Sequence, residues 1–277
     1  MPYNLDILVP KSSTYGVLEH FSGKICEAMK RLGGHKCRLI YGLEGLNKAL
    51  QDDVPDFTFS FNAPPKDHGL FWCDIQQIPH VSILVDTPFH FPGINNSQYI
   101  IPTYDDEYLT KTFPNKRFHQ KFFVPLGVER ELDSDPSLPK IYDVTLLASF
   151  NDWEERQKLW EETYPKDIYD AMLKAIDLTL NEEDMSFIKA FEIAYNEILK
   201  ENRDVRVLAI NVVEILIELE SYLKGYERIC QVQSIHDAEV HIFGASNDIE
   251  SWQRYFDNQS NVIIHDPVSF DNAILIM

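Results

Sequence analysis

The stretch HVSILVDTPFHF, residues 80–91, sets an acid and an imidazole four positions apart behind a mostly apolar run. A short apolar run of that kind reads as a buried strand, which delivers Asp86 to its carboxyl end with Thr87, Pro88 and His90 just beyond. In open α/β sheets ligands bind outside the carboxyl ends of the strands, so this is where chemistry is expected. An Asp86–His90 pair there suits orienting a substrate hydroxyl or taking its proton. The same residues fit a plainer role, in which Asp86 caps the turn that opens with proline. Both readings remain open on the sequence.

Two further stretches place polar groups where a strand gives way to a helix. In KSSTYGVLEH, residues 11–20, Ser13, Thr14, Tyr15 and Gly16 form a polar lip suited to a sugar or a phosphate, or Ser13 or Thr14 simply caps the helix. In VTLLASFNDWEERQKL, residues 144–159, the small pair Ala148–Ser149 leads into a helix carrying Arg156. Amides at a helix start with one cation nearby suit a diphosphate. The alternative is an Arg156 paired with acids on a solvated helix face. The triplet DSD at 133–135 lies in a proline-flanked polar segment, where a metal-chelating role is outweighed by that of a solvated linker. His35 and Cys37 share one strand face without a second ligand pair, so no metal is assigned. No G-x-G-x-x-G, G-x-x-x-x-G-K-[ST] or G-x-S-x-G occurs, which argues against dinucleotide, P-loop and α/β-hydrolase chemistry.

The elements that must position these residues alternate. Strands are predicted at 5–10, 36–42, 56–62, 80–88, 97–104 and 117–127, and helices at 16–34, 43–53 and 105–113. That alternation predicts a doubly wound α/β domain over 1–130. Residues 131–140 read as a linker, and a second α/β pattern fills 141–277, with strands at 142–150, 239–246 and 261–267. A helical insertion of about 165–235 interrupts it; Asn181 is expected to cap a helix over 181–202, and 205–223 is apolar nearly all round. At the end, Asp271 is expected to cap a helix whose apolar stripe starts with Ala273, Ile274 and Met277.

Bulk composition narrows the partners. Twenty-five basic against 44 acidic residues give a formal charge of −19, unfavourable for nucleic acid or an anionic membrane surface. The four cysteines are scattered, and MPYNLDILVP lacks the basic start of a signal peptide. Charges interrupt the richest apolar stretch, so no transmembrane segment is expected. Together these point to a cytoplasmic protein with free thiols.

The order of these motifs resembles the bacterial GT-B glycosyltransferases, in particular the family-1-like branch related to spore-maturation glycosyltransferases. The pieces that carry the likeness are ILVPKSSTYG, IPHVSILVDTPFHF, VPLGVE, YDVTLLASFNDWEERQKLW and VIIHDPVSFDNAILIM. The resemblance implies two tandem Rossmann-like domains, the second incomplete, and transfer of a sugar from a nucleotide-sugar donor to a hydroxyl acceptor without a bound metal or cofactor. It places Asp86 on the acceptor side and Ser149 and Arg156 at the donor phosphates. Family members run on past the equivalent of VSFDNAILIM into a glycine-containing loop and a helix bearing Arg and Glu. By that resemblance the chain is expected to hold half a donor site and to turn over weakly or not at all. The competing expectation is a non-catalytic binding or regulatory protein that meets a protein partner through 165–235.

Overall fold

The computed structural model describes residues 2–10, 16–104, 122–124, 137, 139–201, 211–244 and 249–276. The helix expected at 105–113, most of the strand at 117–127, the DSD triplet and Ser13, Thr14 and Tyr15 lie outside them. The chain divides into two compact units, Met1–Pro139 with Ser269–Ile274, and Lys140–Val268 with Leu275–Met277. The division falls at the end of the segment read as a linker.

Among the described residues the first unit is built on five parallel strands, β1 (Asn4–Val9), β2 (Lys36–Tyr41), β3 (Phe57–Phe61), β6 (His80–Leu84) and β7 (Ile100–Tyr104), in the order β2-β1-β3-β6-β7, and Phe123 adds a parallel bridge to Tyr104. The reversal of order beside β1 makes this a Rossmann-like α/β sheet, with its switch point between β1 and β3. Helix α1 (Val17–Gly33) covers one face, where Phe21, Ile25 and Met29 pack with Leu5, Ile7, Phe59 and Phe61. Helices α2 (Gly42–Asp52) and α3 (Trp72–Gln76) cover the other, packing Leu46, Ala49 and Trp72 with Leu8, Leu84 and Ile100. Burial on both faces explains why these strands read as nearly continuous apolar runs. A two-strand hairpin, β4 (Lys66–Asp67) and β5 (Leu70–Phe71), precedes α3; the sequence pattern missed it because two-residue strands show no period.

In the second unit β8 (Val144–Leu147), β9 (Val240–Phe243) and β10 (Val262–His265) pair in parallel, in sequential order. Among the described residues four helices lie between β8 and β9: α4 (Trp153–Thr163), α5 (Lys166–Asn181), α6 (Phe187–Glu201) and α7 (Val212–Gln233). Helix α8 (Ile249–Phe256) joins β9 to β10. Sequential parallel strands wind in one direction only, and right-handed crossovers then put the connecting helices on one face. Ile229 and Val232 of α7 and Trp252 and Phe256 of α8 do pack against Val240, Ile242 and Val144 on that face. The expected double winding is thus seen in the first sheet and not in the described part of the second.

Two expected caps are corrected. Asn181 ends α5 rather than opening a helix, and its side-chain amide donates back to the Asp177 carbonyl at 3.0 Å. At the start of α9 (Phe270–Ile276) the cap is Ser269, whose hydroxyl accepts from the Asn272 N–H at 3.4 Å, while Asp271 stays exposed. Phe270 packs within the first unit, its ring 4.6 Å from that of His20.

The apolar stretch of the helical insertion is spent on its own unit. Ile215, Leu216, Leu219, Tyr222 and Leu223 are buried, leaving Val212 and Val213 as the exposed apolar residues of the described part. No described helix is long and apolar enough to cross a membrane.

Candidate functional site

Asp86 leaves the carboxyl end of β6 exposed to solvent, next to the end of β3. Its carboxylate accepts a hydrogen bond from the Asn62 side-chain amide at 2.8 Å. The Asn62 side-chain oxygen, Oδ1, in turn accepts the backbone N–H groups of Val85 at 3.1 Å and Asp86 at 3.3 Å. Asn62 therefore ties the ends of β3 and β6 together and aims the acid. It does so from the left-handed region, at φ 58°, which Asn tolerates better than most residues. The signal was present in FSFNAPP, where an Asn follows an apolar run ahead of two prolines, but nothing local tied it to Asp86.

A buried polar chain supports Asn62 from beneath. His80, the first residue of β6, lies wholly inside, its Nδ1 2.7 Å from Thr58 Oγ1 and its Nε2 2.9 Å from Ser60 Oγ. The Ser60 hydroxyl donates to the Asn62 carbonyl at 3.0 Å, so it must accept from His80. That assigns the proton to Nε2 and leaves Nδ1 to accept from Thr58. Burial drives the pKa of His80 down to about 3, which keeps the ring neutral near pH 7.

His90 is exposed and closes a 3₁₀ turn over Pro88–His90, its N–H bonded to the Thr87 carbonyl at 3.1 Å. Gly16 opens α1 with φ 73°, a conformation that favours glycine. Gly16, Asn62 and Asp86 thus follow β1, β3 and β6, three neighbouring strands at the carboxyl edge beside the switch point.

In the second unit, the loop after β8 is stapled rather than open. The Ser149 carbonyl accepts from Arg228 of α7 at 2.7 Å. Asp152 caps α4 through the Glu155 N–H at 3.0 Å and also accepts from Arg254 at 2.5 Å and from the Tyr255 hydroxyl at 2.9 Å. The cap bond, Tyr255 and Arg254 outweigh the burial of Asp152, so its pKa lies below the usual carboxylate range. Gly225 packs so closely that a Cβ there would lie 2.2 Å from the Asn151 carbonyl oxygen. Gly225→Ala is expected to destabilise the second unit by about 1–3 kcal/mol, read as a lowered urea midpoint, because backbone cannot yield as a side-chain tip does.

Arg156 is committed elsewhere. Its guanidinium donates to Glu218 of α7 at 2.8 Å, and the same carboxylate oxygen accepts the Trp160 indole N–H at 3.0 Å. Glu218 is not one of the acids of Arg156's own helix that the sequence offered as its partner. The start of α4 is also acidic, with Asp152, Glu154 and Glu155, which disfavours an anion. The cations at this strand end are Arg228 and Arg254, and the sequence pattern singled out neither. A shallow depression of about 220 Å³ on α4 and α5, bordered by Trp153, Gln157, Lys158 and Tyr169, includes none of the residues read from the sequence.

His35 Nδ1 accepts the Tyr3 N–H at 2.9 Å, and Cys37 is buried with its thiol pKa pushed up to about 12 by desolvation. All four cysteines are free. Among the described residues no three His, Cys, Asp or Glu side chains converge on a point that would hold a metal ion. No protein-family model matches the sequence, and no curated protein or solved structure matches it either.

Proposed function

We propose that the chain belongs to the GT-B type of glycosyltransferase, two tandem Rossmann-like domains that move a sugar from a nucleotide-sugar donor to a hydroxyl acceptor. The observation that carries this reading is the exposed Asp86, fixed by Asn62 at the carboxyl edge of the first sheet beside its switch point. An acid held in one orientation at that place is suited to general-base work on a hydroxyl. In the reaction the acceptor O–H proton passes to the Asp86 carboxylate. The acceptor oxygen bonds to the anomeric carbon, and the bond from that carbon to the nucleoside diphosphate breaks. His90, exposed on the same loop, orients the acceptor.

On the donor side the reading rests less on Arg156, which Glu218 holds, than on Arg228 and Arg254 around Ser149. Engagement of a diphosphate requires Arg254 to exchange Asp152 for the ligand, which its exposure of 52% permits. The alternative of a partner-binding protein working through 165–235 draws less support, since the described apolar stripe of α7 is consumed inside its own unit.

The test is release of nucleoside diphosphate from a panel of UDP-, GDP- and TDP-sugars with simple sugar and phenol acceptors. Asp86→Asn is expected to lower transfer by about 10²–10⁴-fold with an unchanged thermal midpoint. No transfer by the unsubstituted chain from any donor, together with no donor binding by calorimetry, overturns the reading.

A further inference from the structure

On the face of the second sheet opposite its helices, two imidazoles meet. His241 of β9 is 6% exposed, and its Nδ1 lies 2.7 Å from Nε2 of His265, the last residue of β10. The ring centroids are 5.0 Å apart with planes within 20° of parallel. That separation is close to the N···N gap plus the two ring radii, so the nitrogens face each other head-on. This is hydrogen-bond geometry. Two imidazole nitrogens on one tetrahedral ion stand about 3.3 Å apart, with lone pairs converging off the line between them.

The far side of His241 decides where the protons are. Its Nε2 lies 2.9 Å from a Glu239 carboxylate oxygen. An ionised carboxylate only accepts, so Nε2 of His241 carries a proton and Nδ1 of the neutral ring is bare. The hydrogen in the 2.7 Å gap therefore belongs to Nε2 of His265. One further proton fits this arrangement, because an imidazole–imidazolium pair still needs one hydrogen in the gap and Glu239 supports the added charge. A second does not fit: two N–H bonds would point at each other across a gap that holds one hydrogen.

The surroundings favour the low-charge forms. Tyr142, ahead of β8, lies against both rings, at 4.4 Å from His241 and 6.1 Å from His265 between centroids. Phe243 stacks on His265 at 4.4 Å. Asp143 accepts the Glu239 N–H at 3.2 Å, and Asp266 follows His265 and favours its charged form. Burial and then the charge on His241 lower the proton affinity of His265 and prevail over Asp266.

We propose that Glu239, His241 and His265 form a one-proton switch: the pair shares a single hydrogen near pH 7, accepts one more without rearrangement, and parts on the second, loosening the side-chain contact between β9 and β10. Because the folded state resists that second proton, the stabilisation is complete above the unfolded histidine pKa and is lost as pH falls below it. The proposal is independent of sugar transfer.

The test is a long-range proton–nitrogen NMR titration of the whole chain from pH 8 to pH 4.5, with the nine histidines assigned by substitution. At pH 8 both rings are expected as Nε2–H tautomers. Each of two uptake steps, at least about 1 pH unit apart, should move the signals of both rings. His265→Gln should reduce His241 to one step. Glu239→Gln, which leaves both rings in place, should lower the first step. Rings that each titrate once, indifferent to the other's replacement, overturn the proposal, as does a His265 Nδ1–H tautomer at pH 8.

Discussion

Replacing Arg38 with methionine is expected to cost the first unit about 3–5 kcal/mol of stability. Asp6 of β1 is 1% exposed, and Arg38 on β2 grips it with two bonds, Nε to Oδ1 at 2.6 Å and a terminal nitrogen to Oδ2 at 2.8 Å. The register sets these residues side by side, so the pair is built into the ladder between the two strands. Arg38 also donates to the Asp53 carbonyl at 2.8 Å, which ties the end of α2 to the sheet. The Asp6 bond is the main reason the Arg38 pKa is raised further above its ordinary value. Methionine keeps much of the volume but strands a buried carboxylate without a partner. Removing both charges should therefore recover much of the loss, and Asp6→Leu/Arg38→Met is expected to be more stable than Arg38→Met. Hydrogen exchange of β1 and β2 peptides measures both variants. Equal protection in Arg38→Met and the unsubstituted chain would show that water already reaches Asp6.

Acid is expected to weaken the same unit by a similar amount through His80. The folded-state pKa of about 3 lies below the unfolded value of about 6.5, so the unfolded chain takes up this proton first as pH falls. The sign follows: stability from the neutral, doubly bonded ring is complete above about pH 6.5 and drains away between there and pH 3. At about 1.36 kcal/mol per unit, the full loss is about 4–5 kcal/mol, with about 2–3 kcal/mol gone by pH 4.5. Protonation also places an N–H where Thr58 now donates, so the Thr58 hydroxyl must turn to accept it. His80→Gln, an amide that can both donate and accept, should remove about one proton from the pH dependence of unfolding between pH 6.5 and pH 4. A variant whose stability falls with the same slope as the unsubstituted chain counts against this assignment.

Both sites show how far the sequence could be read. The alternation of apolar runs and amphipathic stretches located β1, α1, β2, α2, β3, β6 and β7 and put Asp86 at a strand end, since periodicity is a property of neighbouring residues. Caps were less secure. Asn181 has the residue type of a cap, but whether it starts or ends a helix depends on what packs around α5 and α6.

What the sequence by itself determined, then, was the order of the main strands of the two sheets, the α/β class, the free thiols and the strand end that carries Asp86. The tertiary structure alone decided the partners. Asn62 reaches Asp86 because β3 and β6 are adjacent with a hairpin and a helix between them in the chain. Arg156 meets Glu218 across 62 positions, and His241 meets His265 across 24. Such pairs depend on strand order, winding and helix packing, which are settled by collective burial and leave no trace in the spacing of the residues that meet.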